Sequence, residues 1–295
     1  MHILDGAEAM ANEQEIEWFW DKRIPKKAIT VLAAAGGEGK SALALWLGLK
    51  LGCRRAKHVM YVDAEQTFVH LTSRLRQWAT PNEARRLYIP VEQSSKSSLI
   101  ESATPPVKEI ARQTFERGCE LVIIDSLTTI SADLDIGKRG PAAQLMTQLK
   151  IIAAEGNAAV LLIAHINKRF DKDKEIDVDD VCGNKAVSDL SRSVFLMTSE
   201  KDDPTSKNLI HVKNNWAPRQ PIVKFTLTDV IEDFREDEPI LAVDASQADL
   251  NEMALQLAQD GQGKDAIRNE LKKVCKHEMM VTRAVYYVGN FGYRL

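Results

Sequence analysis

Eight consecutive residues, Ala34-Ala35-Gly36-Gly37-Glu38-Gly39-Lys40-Ser41, combine closely spaced glycines with a lysine and a hydroxyl. Such glycines let main-chain N–H groups converge on one anion, and a helix starting at the lysine adds the positive end of its dipole. The chemistry this suits is polyphosphate binding. Lys40 would reach the β- and γ-phosphates, Ser41 would hold Mg²⁺, and Gly36, Gly37, Glu38, Gly39 and Ala42 would line the cradle. Ala34 stands where the first glycine of such loops usually lies, and the phosphate-facing part is intact.

Three further groups end short apolar runs. In Leu121-Val122-Ile123-Ile124-Asp125-Ser126 the carboxylate follows four apolar residues. At the C-terminal edge of a parallel sheet Asp125 would face the phosphates and share a Mg²⁺ shell with Ser41. In Tyr61-Val62-Asp63-Ala64-Glu65 a second run ends in acid. Hydrolysis needs a carboxylate that polarises water in line with the terminal phosphate; Glu65 is the candidate base and Asp63 its competitor. Leu162-Ile163-Ala164-His165 ends in a polar donor. His165 would lie near the γ-phosphate if its strand inserts between the phosphate-loop strand and the Asp125 strand.

These groups can meet only if strands and helices alternate. Strand-like runs at 28–33, 58–63, 121–125 and 159–164 are separated by helical patterns over 41–51, 68–78, 107–117 and 141–154. Long connections between short runs mean parallel strands with crossover helices. Runs that are apolar throughout suit strands covered on both faces. From about Arg192 the connections shorten, with runs at 193–197, 209–213, 222–227 and 239–243, an antiparallel extension of the same sheet. The fold expected is α/β, with a mainly parallel central sheet, an antiparallel C-terminal extension and a small helical segment at the end. Trp18 and Trp20 read as aromatic cover for a core edge.

Composition removes several classes. At 295 residues, with 44% hydrophobic and 27% charged residues, the chain is neither disordered nor fibrous. A net charge of −3 leaves no overall attraction to nucleic acid or anionic membrane, so any polyanion site must be local. The longest apolar run, 42–49, is far short of the roughly 20 residues of a bilayer span, and the N-terminus carries no signal pattern. A cytoplasmic protein without membrane association is expected. Cys53, Cys119, Cys182 and Cys275 form no CxxC pair, which suits reduced thiols. Three regions are expected: an arm over 1–17, a core over 18–245 and a helical module over 246–295. Residues 264–295 carry seven basic against three acidic side chains, a net of +4. Two short helices there, 264–274 and 281–288, suit either a small helix-turn-helix or a docking surface.

GGEGKS, YVDAE, LVIIDS and a strand ending in a polar sensor, in this order, resemble the ATPase core of the RecA superfamily over about residues 18–230. Within it, the lead-in Trp18-Phe-Trp-Asp-Lys-Arg-Ile-Pro, His165 and the segment Gly183-Asn-Lys-Ala-Val-Ser-Asp-Leu-Ser-Arg192 are most similar to RepA-type hexameric replicative helicases of plasmids and phages. The resemblance implies a RecA-like P-loop fold with ATP and Mg²⁺ as cofactors. It implies that Arg192 acts as a finger on ATP bound by the adjacent subunit; the plainer alternative is a surface arginine closing a helix. Lys213, in His211-Val-Lys-Asn-Asn215, matches a second subunit-bridging cation, or is an edge-strand lysine. Arg74, nine residues after Glu65, matches the position that packs against the adenine.

The same resemblance implies a homo-oligomeric, hexameric ring whose channel is lined by the loops after the Asp125 and His165 strands. Lys138 and Arg139 in the first loop, and Lys168 and Arg169 in the second, would contact the phosphates of single-stranded DNA. Acidic residues from Asp171 to Asp180 interrupt the second loop, and a solvated loop is the alternative. The expected function is an ATP-dependent ring motor translocating on single-stranded DNA, a replicative helicase with partners recruited through the C-terminal module. A recombination or strand-annealing ATPase and a regulatory ATPase that does not act on DNA are the other readings.

Overall fold

The computed structural model describes residues 4–12, 15–65, 68–93, 100–102, 105–131, 134–166, 177–200, 202–236, 247–259 and 262–274, together with 281, 284 and 285. It divides into two compact units, 1–235 and 236–295. The first is built on a nine-stranded sheet. Its strands in chain order are β1 (Ile29–Ala34), β2 (His58–Asp63), β3 (Leu87–Tyr88), β4 (Cys119–Asp125), β5 (Ala159–His165), β6 (Ser193–Ser199), β7 (Ser206–Asn214), β8 (Val223–Leu227) and β9 (Ile231–Glu236). Their order across the sheet is β9-β8-β7-β6-β1-β5-β4-β2-β3. From β6 to β3 all pairings are parallel, while β6–β7 and β7–β8 are antiparallel. The expected mainly parallel α/β sheet with an antiparallel extension is the one observed.

Each central strand divides its side chains between two cores, as alternation along a strand requires. Leu32, Tyr61, Ile123, Leu161 and Phe195 face one side. Helix α1 (Lys40–Leu47) covers them with Leu43, Ala44 and Leu47, and continues into a wider π-type turn over Gly48–Gly52. Val31, Val62, Ile124, Leu162 and Val194 face the other side. They meet α3 (Val107–Glu116) through Ile110 and Ala111, and α5 (Arg139–Glu155) through Leu145, Met146, Leu149 and Ile152. Helix α2 (Phe68–Trp78) follows β2, α4 (Leu127–Ile130) follows β4, and α6 (Ala186–Leu190) precedes β6. Burial on both faces is why these strands read as continuous apolar runs.

Ahead of the sheet, Trp18–Trp20 pairs with Ile24–Pro25. Phe19 is buried in the α1-side core, and Trp20 stacks on Phe195 with ring centroids 6.0 Å apart, so these aromatics cover a core edge. Before them lies a short exposed helix, Gly6–Ala11, closed by a capping box between Asp5 and Glu8. The expected strand at 239–243 lies outside the described residues. Instead β9 closes the antiparallel edge, with a buried Ile231 and mostly exposed neighbours. The C-terminal unit contains α7 (Gln247–Gln259) and α8 (Lys264–Val274), with a core of its own from Ala254, Ala258, Ile267, Leu271, Val281, Ala284 and Val285. Only three residues of the expected helix over 281–288 are described, and all three are buried.

The join between parallel and antiparallel halves holds a buried imidazole. His211 on β7 stacks on Phe195 at 4.3 Å and accepts the Gln220 N–H at Nδ1, 3.1 Å away. The proton is therefore on Nε2, 2.9 Å from Ser193 Oγ, and that hydroxyl donates to the Arg23 carbonyl at 2.7 Å. Burial, reinforced by the Arg23 and Arg219 charges, pushes the imidazole down to about 3. The fold thus keeps His211 neutral where the unfolded chain takes up a proton near the ordinary value of about 6.5. Below that pH the unfolded state binds the extra proton, and stability falls until about pH 3. Between pH 7.5 and 5.5 the wild type should lose about 1.4 kcal/mol more unfolding free energy than His211→Asn. Urea denaturation at both pH values checks this; equal losses would remove His211 as the cause.

Candidate nucleotide-binding site

The glycine-rich loop leaves the C-terminal end of β1 and turns directly into α1. Gly37 and Gly39 have φ of 78° and 90°, a region side chains disfavour. At Gly39 a Cβ would also collide with Leu227 Cδ2, whereas at Gly36 and Gly37 the space is open. The loop is therefore pinned against β8 on one side and free to admit a ligand on the other.

Beneath it Lys40 is 6% exposed. Its ammonium donates to the Ala34 and Ala35 carbonyls at 3.2 and 2.7 Å and lies 3.4 Å from His165 Nδ1, which can accept it only when unprotonated. Burial holds the Lys40 amine below its ordinary value, against the pull of the Asp125, Glu65 and Glu38 charges. His165 reaches this point because β5 does insert between β1 and β4, in a register that pairs Ala34 with His165. The Ile166 N–H, 3.1 Å from the Ala34 carbonyl, locks that register.

The acids come from β2 and β4. Asp63 and Asp125 are opposite each other in register, and the N–H groups of Ala64 and Glu65 donate to the Asp125 carbonyl at 2.8 and 3.2 Å. Asp125 is 2% exposed. Its carboxylate accepts the Tyr61 hydroxyl at 2.6 Å and a bond from the Ser41 hydroxyl. Burial nonetheless pushes the Asp125 carboxyl above its ordinary value, with Glu65 and Asp63 adding to the rise. A desolvated cation and a desolvated carboxylate near one loop form a donor set that fits a metal-bound polyphosphate. The phosphates would offset Lys40, and a divalent ion between Ser41 and Asp125 would offset the carboxylate.

Position separates the two candidate bases. Asp63 is fully buried, while Glu65 is exposed at the strand lip, its Oε1 accepting the Ser126 hydroxyl at 2.7 Å. Arg74 on α2 lines a cleft of about 440 Å³ beside the loop, together with Gly37, Glu38, Ala42, Trp78 and Lys207. A second cleft of about 460 Å³, between Tyr88, Pro106 and Arg117, holds none of the expected site residues.

Other expected residues are not brought to this loop. The Arg192 N–H donates to the carbonyl of Ile29, the first residue of β1, whereas the loop follows its last, Ala34. At about 3.3 Å per residue these ends are roughly 17 Å apart. The Arg192 guanidinium lies over the Trp216 ring at 5.7 Å. Lys213, opposite Val194, is at the same edge, and its ammonium donates to the carbonyls of Ser188, Asp189 and Ser191 at 2.7, 3.2 and 3.0 Å. Its donors are thus taken up within its own chain, where they close the C-terminal end of α6. Lys138, exposed before α5, pairs with Asp135 at 3.1 Å, and Arg139 is exposed at the first position of α5. Lys168 and Arg169 lie outside the described residues.

Sequence reasoning missed Tyr61, Lys207 and Ser199 as parts of this site. Tyr61 carried a faint signal, a phenol in an otherwise apolar run ending in acid. Lys207 and Ser199 carried none, because only the β6–β7 pairing brings them here.

A family model described as an AAA domain matches residues 3–171. No curated protein matches the sequence. The fold is similar to a solved structure that consists of an ATPase domain alone, with a TM-score of 0.55 and 16% identity over 71% of this chain and 86% of that one. It is also similar to a DnaB-like replicative helicase solved for its interactions with primase, with a TM-score of 0.56 and 16% identity over 71% of this chain and 59% of that one.

The Tyr61–Asp125 bond joins a neutral donor to a buried carboxylate, and the Tyr61 hydroxyl has no other hydrogen bond among the described contacts. Tyr61→Phe keeps the ring and removes only that donor, so it should cost about 1–3 kcal/mol of unfolding free energy at neutral pH. Denaturant titration of the two proteins checks this, and unchanged stability would mean that the bond does not support Asp125.

Proposed function

This chain belongs to the AAA-domain family and has the fold of RecA-type P-loop ATPases, and on that premise we propose that it is an ATP- and Mg²⁺-dependent motor. In this reading it assembles as a hexameric homo-oligomeric ring and translocates on single-stranded DNA as a replicative helicase. The observation that supports the reading is that Arg192, the proposed finger, lies at the edge of the sheet opposite the phosphate loop. Lys40, Glu65 and His165 are at the C-terminal edge, and Arg192 is level with the start of β1. A base and a finger so separated cannot serve one nucleotide within one chain. Head-to-tail association of identical copies joins them and, when the rotation closes, makes a ring. The likeness of the fold to a DnaB-like replicative helicase supports the same choice.

Each residue then has a task. Gly36, Gly37, Glu38, Gly39 and Ala42 shape the cradle, Lys40 offsets charge on the β- and γ-phosphates, and Arg74 packs against the adenine. Ser41 and Asp125 would hold Mg²⁺, which supplies charge neutralisation of the leaving phosphates. Glu65, held by Ser126, orients and deprotonates water, and His165 reports the terminal phosphate to the loop that follows it. Arg192 of the next subunit stabilises charge in the transition state. Lys213 assists by fixing the turn that carries Arg192. Lys138 and Arg139, with Lys168 and Arg169, contact the DNA backbone in the channel, and the basic segment 264–295 of the C-terminal unit recruits replication partners in the cytoplasm. None of the described helices is long and apolar enough to cross a membrane.

Glu65→Gln should bind ATP normally and hydrolyse it at least about a hundredfold more slowly, because only proton abstraction is lost. The same phenotype in Asp63→Asn but not in Glu65→Gln would reassign the base. Arg192→Ala should also bind ATP and turn it over poorly. A mixture of the two inactive variants, after confirmed subunit exchange, should regain turnover, since some interfaces pair an intact Glu65 with an intact Arg192. A mixture as inactive as its components would contradict a site shared between subunits.

A further inference from the structure

A carboxylate in the middle of a phosphate-binding turn is electrostatically out of place. Glu38 lies between Gly37 and Gly39, the two residues whose positive φ shapes the cradle, and its charge opposes that of any phosphate bound there. The structure pairs it from an unexpected direction. Lys207 Nζ lies 2.8 Å from Glu38 Oε2 and 2.7 Å from Ser199 Oγ, and the Ser199 hydroxyl also donates to Glu38 Oε2. The Lys207 side chain is only 7% exposed and that of Glu38 25%. Ser199 and Lys207 face each other in the β6–β7 register, so both reach the loop from the end of one hairpin.

We propose that Lys207 is a positioning residue of the phosphate loop, which neutralises Glu38 and fixes its turn so that a polyphosphate can enter without facing an unpaired carboxylate. The proposal rests on reading the loop as a nucleotide site and adds a residue that need not touch the nucleotide. Truncating Lys207 would leave Glu38 charged, partly buried and unpaired beside the phosphates, the arrangement in which losing one partner costs most. The Glu38 carboxyl is held below its ordinary value: burial alone would raise it, and Lys207, Ser199 and Lys40 more than offset that. Glu38 is therefore charged at neutral pH. An electrostatic role also predicts a dependence on ligand charge that a packing role does not: the penalty must grow with the number of phosphates.

The test is the affinity of the purified full chain for adenosine, ADP and ATP in the presence of Mg²⁺, by calorimetry. Lys207→Met keeps the apolar stem; Lys207→Gln is read in its place if the first does not fold. ATP affinity should fall about tenfold, equivalent to about 1.4 kcal/mol, ADP affinity by less, and adenosine affinity should not change. Adding Glu38→Gln to the same chain should restore ATP binding, and Lys207→Arg should keep it. Equal weakening toward all three ligands, no weakening, or failure of Glu38→Gln to rescue would overturn the proposal. Lys40→Ala is the control. If the wild type does not bind ATP, or Lys40→Ala binds it equally well, the nucleotide reading itself falls. If binding depends on Lys40 and is indifferent to Lys207, only the present inference falls.

Discussion

Lys40 is a buried cation whose hydrogen bonds run to main-chain carbonyls and a histidine nitrogen. Holding an ammonium in that condition costs free energy unless an anion joins it. The fold spends its most regular part on keeping it there. β1 is fixed between β6 and β5, and β5 is tied through the Ala34–His165 register to the residue where the loop begins. Asp125 is in the complementary condition, a carboxylate raised by burial beside a hydroxyl and a phenol. Two mismatched charges held at one sheet edge are what a metal-bound polyphosphate would satisfy together, so the energetic defect of the free protein is the specificity of the bound one.

The second constraint is geometric. A parallel sheet brings every strand's C-terminal end to one edge, and the loop, Glu65 and His165 collect there. An antiparallel hairpin necessarily visits both edges, and β6–β7 does so with different chemistry at each. Ser199 and Lys207 meet Glu38 at the loop edge, while Lys213 at the other edge holds the turn before Arg192. One hairpin thus spans from the phosphate cradle to the proposed finger.

Much of this was legible from residue order. Strands buried on both faces announce themselves as apolar runs, and Asp125, Glu65 and His165 each stood at the end of one; the structure places all three ends at the loop's edge. Tail residues Ile267 and Leu271, four apart as one face of a helix requires, are both buried in the core of the C-terminal unit. What stayed hidden depends on long-range register. β9 was missed because an edge strand rich in Glu, Asp and Arg has no apolar run. The Lys207–Glu38 pair spans 169 residues, and nothing near either residue hints at the other. Arg192 and Lys213 came from resemblance; the structure adds that both lie far from their own loop.

The central claim is that two copies complete each site and that the copies close into a ring. Electron microscopy of the purified chain with ATP and Mg²⁺, with and without single-stranded DNA, tests it most directly when the specific rate of ATP hydrolysis is followed in the same samples. The account predicts closed six-membered rings and a specific rate that rises with protein concentration as rings form. Single copies hydrolysing ATP at full rate, independent of concentration, or open filaments in place of rings, would contradict it.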